Sequence, residues 1–149
     1  MATSPELELD QFPLKAYEKL RYADTDRLGH VNNAVFSTML ETGRVEFLFD
    51  QSKPILSANC VFVIASLTLN FISEINFPGR VDIGTRVIAI GRSSVTLDQA
   101  LFQDGRCAAT AKTVIVQMNE ATRRSQPFSD AAIVHLTSLM ATTSANPAA

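Results

Sequence analysis

The hydrophobic pattern changes period twice along this chain, and those changes mark out the elements. From Lys15 to Tyr22 the residues alternate loosely, with Ala16, Leu20 and Tyr22 on one face, which predicts a first strand. From Asn33 to about Phe49 the period becomes helical. Val35, Phe36, Met39, Leu40, Gly43 and Phe47 recur at spacings of one, three or four, while Glu41, Arg44 and Glu46 fall elsewhere. Gly43 lies on the apolar stripe. A glycine inside a helix costs ~1 kcal/mol in propensity, so its presence there predicts a close approach to a sheet passing over the helix. Asp50 to Pro54 ends the element.

The rest of the chain reads mostly as strand. Cys60–Ser73 is a long β-rich run, and Pro78-Gly79 turns the chain into Arg80–Ile90, where Val81, Ile83 and Val87 alternate with Asp82 and Arg86. Gly91-Arg92-Ser93 turns again into Ser94–Gln103. Asp104-Gly105 is a strong two-residue hairpin signal leading into Arg106–Met118. A second helix is predicted over Asp130–Met140 with Ser129 as its cap. The order is strand, long helix, four strands joined by short turns, then a terminal helix. Successive hairpins make an antiparallel sheet, and one long apolar helix must bury its stripe against it. An α+β architecture follows, with a curved sheet wrapped around a central helix.

Length and composition narrow the function. At 149 residues the chain fits one domain, which buries roughly 70% of its unfolded surface and needs no metal or disulfide for stability. We expect a flexible stretch over residues 1–11, a domain over 12–140 and a disordered tail over 141–149. A net charge of −2 offers no basic face for nucleic acid. No run of ~18 apolar residues suggests a membrane span, and the acidic first ten residues do not resemble a signal peptide. Cys60 and Cys107 lie far apart in apolar contexts and read as reduced core residues, which predicts a cytoplasmic protein.

The chemistry concentrates in Arg21-Tyr22-Ala23-Asp24-Thr25-Asp26-Arg27-Leu28-Gly29-His30-Val31-Asn32-Asn33. Asparagines ahead of an apolar-periodic run suit a helix N-terminus, because their side chains accept hydrogen bonds from unpaired backbone N–H groups. Those N–H groups and the helix dipole stabilise an anion or a polarised carbonyl. A carboxylate seven residues earlier, Asp26 relative to Asn33, can face the same spot across the Gly29 turn. An acid beside an oxyanion site is hydrolase chemistry. Asp24, Asp26 and His30 fall within seven residues, but no second cluster of metal ligands accompanies them and His135 sits in a different helix, so a metal is not expected.

The string Asp-Thr-Asp followed by Gly-His-Val-Asn-Asn, then a helix carrying Glu41 and Arg44, resembles the 4-hydroxybenzoyl-CoA thioesterase-like branch of the hot-dog fold. The resemblance spans roughly residues 12 to 138. It implies hydrolysis of acyl-CoA thioesters without metal or organic cofactor, and a homodimer or homotetramer whose sites lie between protomers. It also implies that the catalytic carboxylate is Asp26 and that the backbone N–H polarising the thioester carbonyl belongs to Asn33. The His-Val-Asn-Asn wording is similar to fatty-acyl thioesterases, including those acting on acyl carrier protein. Those enzymes carry an asparagine where this chain has Leu28, which leaves Asp26 as the acid.

Each candidate also has a plainer role. Asp26 acts as nucleophile or general base, or it caps the turn. Asp24 reads as the structural acid, tying the turn or pairing with Arg21 or Arg27. His30 touches substrate, orients Asp26, or packs at the start of the helix. Gly29, Asn32, Ser66 and Arg92 are the positions expected to contact substrate, with Arg92 suited to a coenzyme A phosphate. Two rival functions keep the same sequence features: an enoyl-thioester hydratase using His30 with Glu41, and a non-catalytic acyl-thioester binding protein.

Overall fold

Asn32 adopts an extended backbone (φ −60°, ψ 137°) and its side chain accepts a hydrogen bond from the Ala34 N–H at 2.9 Å. That cap starts helix α1, Asn33–Leu48, where the sequence places it. The structure is a computed structural model that describes residues 6–140; the expected tail over 141–149 lies outside the described residues. Five strands surround the helix: β1 Leu14–Lys19, β2 Cys60–Phe71, β3 Arg80–Ile90, β4 Ser94–Gln103 and β5 Arg106–Asn119. They form one antiparallel, curved sheet in the order β1-β3-β4-β5-β2. Helix α2, Asp130–Ser138, follows, capped by Ser129 through the Ala132 N–H. The fold is the expected α+β arrangement. No helix among the described residues is long and apolar enough to cross a membrane.

The strand pattern explains how α1 sits. Side chains on a strand alternate between faces, and the inner face of the sheet presents Val81, Ile83, Leu101, Ala109 and Ala111 to Phe36, Met39 and Leu40 of α1. A second cluster joins Phe47 and Leu48 to Val87, Leu97, Ile115 and the α2 residues Ala132 and Leu136. On the outer face Phe12 packs with Ala100, Phe102 and Cys107, with Leu7 and Leu9 against them. Both cysteines are buried and free, and burial pushes the Cys107 thiol above its ordinary pKa.

Gly43 has the role that its place on the stripe predicts. A Cβ built there would lie 2.7 Å from Ile83 Cγ2, 3.0 Å from Gln99 Nε2 and 3.1 Å from Thr85 Oγ1. The helix therefore touches the sheet with its backbone. Gly43→Val is expected to destabilise the fold by about 3 kcal/mol through overpacking, seen as a thermal midpoint lower by about 10 °C. An unchanged midpoint would show that the helix can lift away without loss.

Arg44 departs from its polar place on the helical wheel. It is 5% exposed, and its Nη1 donates to Gln99 Oε1 at 3.3 Å instead of pairing with Glu41. Gln99, buried on β4, also donates from Nε2 to the Leu40 carbonyl (3.0 Å) and to Thr85 Oγ1 (2.9 Å). A buried side-chain amide on the sheet makes this polar residue an inner one, a partner the helix pattern alone does not contain.

At the other margin β2 pairs only with β5, so its second edge is open among the described residues. Its register shifts between Ile64 and Ser66, a bulge at Ala65. Ile64 (51%) and Phe71 (52%) remain exposed along it.

Candidate active site at the mouth of the central helix

The loop from Arg21 to Asn32 is held by its own polar groups. Asp24 is buried. Its Oδ2 accepts from the Arg21 N–H at 2.8 Å and its Oδ1 from Arg21 Nη2 at 3.0 Å, while its carbonyl accepts from the Asn32 N–H at 2.8 Å. Asp24 is thus the structural acid, paired with Arg21. It closes a short 3₁₀ turn, Tyr22–Asp24, which takes Tyr22 out of the expected first strand.

Asp26 begins the next turn. Its N–H donates to the His30 carbonyl at 2.8 Å, and its own carbonyl accepts from the Gly29 N–H at 3.1 Å. Gly29 adopts φ +82°, a left-handed conformation natural to glycine, and so closes the turn. The Asp26 carboxylate is fixed by one oxygen: Oδ1 accepts from the Leu28 N–H at 2.8 Å. No protein donor among the described residues occupies Oδ2. The turn-capping role and an available carboxylate oxygen therefore coexist in one side chain.

Five polar residues line a cleft of about 330 Å³: Asp26, His30, Asn33, Ser73 and Glu74. The Asn33 N–H, first in the helix, has no acceptor among the described residues, whereas its neighbours do: Asn32 donates to Asp24 O and Val35 to Asn32 O. It is one of the donors that any helix start leaves unpaired. The apolar wall is Leu28, Phe36, Phe71 and Ile72, with the Phe36 and Phe71 rings edge to face at 5.1 Å. Glu74 is absent from the sequence reading. It comes from the segment after β2 and meets His30, Oε2 to Nε2 at 3.0 Å, where the Val31 N–H donates to the Ile75 carbonyl at 2.8 Å. Nothing local in the sequence signals that pairing, because it depends on the end of β2 returning beside the loop.

The remaining candidates are placed elsewhere. Asn32 caps α1 at the rim. Ser66 lies exposed in the middle of β2, several residues from Phe71. Arg92 stands in the β3–β4 turn, beside Phe128 and Ile133 in a separate groove of about 690 Å³. That is the far end of β3 from the cleft, roughly 30 Å along the strand. Within one chain, Ser66 and Arg92 do not share the cleft with Asp26. Among the described residues no three metal-ligating side chains converge.

A profile of the thioesterase-like superfamily matches residues 20–136, from the end of β1 through most of α2. The chain belongs to the thioesterase-like superfamily. Thioester hydrolysis is the activity that membership carries. Among solved structures, a thioesterase from Thermus thermophilus complexed with coenzyme A and Zn is 27% identical, at a TM-score of 0.75 over 87% of this chain and 96% of its own. The PA5185 protein from Pseudomonas aeruginosa PAO1 shares the fold at a TM-score of 0.82, with 23% identity over 93% of this chain and 99% of its own. A DHNA-CoA thioesterase from Staphylococcus aureus shares it at 0.66, with 21% identity over 76% and 78%. No curated protein matches the chain. In this thioesterase-like chain, then, the superfamily's sheet and helix bring the Asp26 loop to the start of α1.

Proposed function

We propose that this chain is an acyl-CoA thioesterase that works as a homo-oligomer. The observation that carries the reading is one cleft lined by both Asp26, whose carboxylate has an unclaimed oxygen, and Asn33, whose helix-terminal N–H is unpaired. A thioester carbonyl seated with its oxygen at the mouth of α1 gains a hydrogen bond that strengthens as negative charge develops on it. Asp26 then acts on the carbonyl carbon by one of two routes. It attacks directly, giving an acyl–carboxylate anhydride that water opens, or it takes the proton of an attacking water. Both routes break the same C–S bond and release a carboxylic acid and a thiol, with one water consumed.

Coenzyme A as the thiol is supported by the Thermus thermophilus thioesterase complexed with it. The open edge of β2 and the exposed Ile64, Leu67 and Phe71 support association with a second copy. Pairing along that edge would carry Ser66, and a basic residue such as Arg92, toward another protomer's cleft.

Release of free thiol from a panel of aliphatic and aromatic acyl-CoAs tests the reading. At least one is expected to turn over, with no hydration of crotonyl-CoA. Hydration without thiol release would favour the hydratase built on His30 and Glu41. Tight binding without either product would favour a binding protein.

A further inference from the structure

A side-chain amide leaves water at a cost unless both its oxygen and its nitrogen find partners. Gln103, the last residue of β4, is 7% exposed and finds both on a single residue. Its Oε1 accepts from the Asn76 N–H at 2.9 Å, and its Nε2 donates to the Asn76 carbonyl at 2.8 Å. Neither of those Asn76 groups has a backbone partner among the described residues. The amide therefore stands where a neighbouring strand would otherwise pair. Gly79 leaves room for it, since a Cβ there would lie 3.0 Å from Gln103 Nε2.

What this clamp holds is one wall of the cleft. Ser73 and Glu74, just before Asn76, line the cleft with Asp26 and His30. The two walls are knitted together where Asn76 bridges to His30 and the Val31 N–H donates to the Ile75 carbonyl at 2.8 Å. Glu74 Oε2 lies 3.0 Å from His30 Nε2, but the two side chains are 53% and 37% exposed. An ion pair so open to water contributes little, so it does not fix the wall by itself. Its geometry comes from the backbone on either side. His30 is held by its carbonyl, which accepts from the Asp26 N–H at 2.8 Å. Glu74 sits between two anchors to the sheet: the Ser73 N–H on the Ala108 carbonyl at 3.1 Å, and Asn76 on Gln103. Gln103 does not line the cleft; it acts at one remove.

We infer that Gln103 is a positioning residue for the reaction: by gripping the Asn76 backbone it holds Glu74 against His30, beside Asp26. The inference rests on the thioesterase reading and adds to its machinery a residue that touches no substrate. Without the amide, two part-buried backbone groups lose their partners, and the Glu74 segment shifts to let water reach them. A displacement of about 1 Å near reacting atoms is enough to slow chemistry by up to about a hundredfold.

Gln103→Leu is expected to lower kcat for a good acyl-CoA by about tenfold with KM within about twofold, the mark of lost geometry rather than lost binding. Glu74→Ala should lower kcat to a similar degree. Adding Gln103→Leu to Glu74→Ala should then change kcat by less than about twofold, because the side chain being placed is already gone. Three results overturn the inference while leaving thioester hydrolysis intact: parental kcat in folded Gln103→Leu, a rise in KM alone, or losses that multiply in the double variant. If Gln103→Leu does not fold, amide hydrogen exchange of the wild-type protein decides. The Asn76 N–H is expected to exchange as slowly as the amides inside β4, and exchange at the rate of an open loop overturns the inference. Thiol release from no member of the acyl-CoA panel would instead remove the thioesterase reading, and this role with it, however slowly Asn76 exchanges.

Discussion

Asp26→Asn is expected to lower turnover of a good acyl-CoA by about a thousandfold, the scale of losing a nucleophile or general base, with no change in the melting curve. The asparagine oxygen can still accept from the Leu28 N–H, the contact Asp26 Oδ1 makes at 2.8 Å. The other bonds of the turn, from the Asp26 N–H to His30 and from the Gly29 N–H to Asp26, are backbone only. The variant therefore removes the charge and the unclaimed carboxylate oxygen while keeping the loop. Thiol release at near-parental rate from folded Asp26→Asn would end the assignment of this residue.

Asn33→Pro should have the second-largest effect, a fall of about a hundredfold or more, as for loss of one oxyanion donor. The substitution is unusually clean. Proline is favoured at the first helical position, where its missing N–H has no intrahelical partner. The residue before it, Asn32, already has the extended backbone that precedes proline without strain. The helix should form, and the unpaired N–H of its first residue should be gone. Asn33→Ala, which keeps that N–H, is the control and is expected to stay close to the parental rate. A proline variant as active as the alanine one would show that the carbonyl is polarised elsewhere.

What the sequence made legible was what is decided locally. Asp104 and Gly105 both take positive φ, 52° and 79°, as a tight two-residue hairpin requires, and β3 and β4 have the bounds their alternation predicts. Ser129 and Asn32 cap their helices for the reason their side chains suggest. The helix α2 stops at Ser138, short of Met140, because Met140 instead bridges to Val87 of β3. Sites assembled from distant segments were less legible. Asp26, His30 and Asn33 are close in sequence, and they line one cleft. Glu74 needed the sheet to deliver it to His30, and Arg44 needed Gln99 on β4 to turn a polar wheel position inward. A one-dimensional pattern holds no trace of partners contributed by another strand.

One margin of the sheet has a practical consequence. The twelve-residue β2 offers its free backbone groups to water or to another strand, and whatever docks there does so by mass action. For the homo-oligomer proposed above, dilution is then a chemical variable. Rates per chain should be compared at matched protein concentration, since a sample thinned to nanomolar levels would have its apolar margin wetted and a different population of species under study.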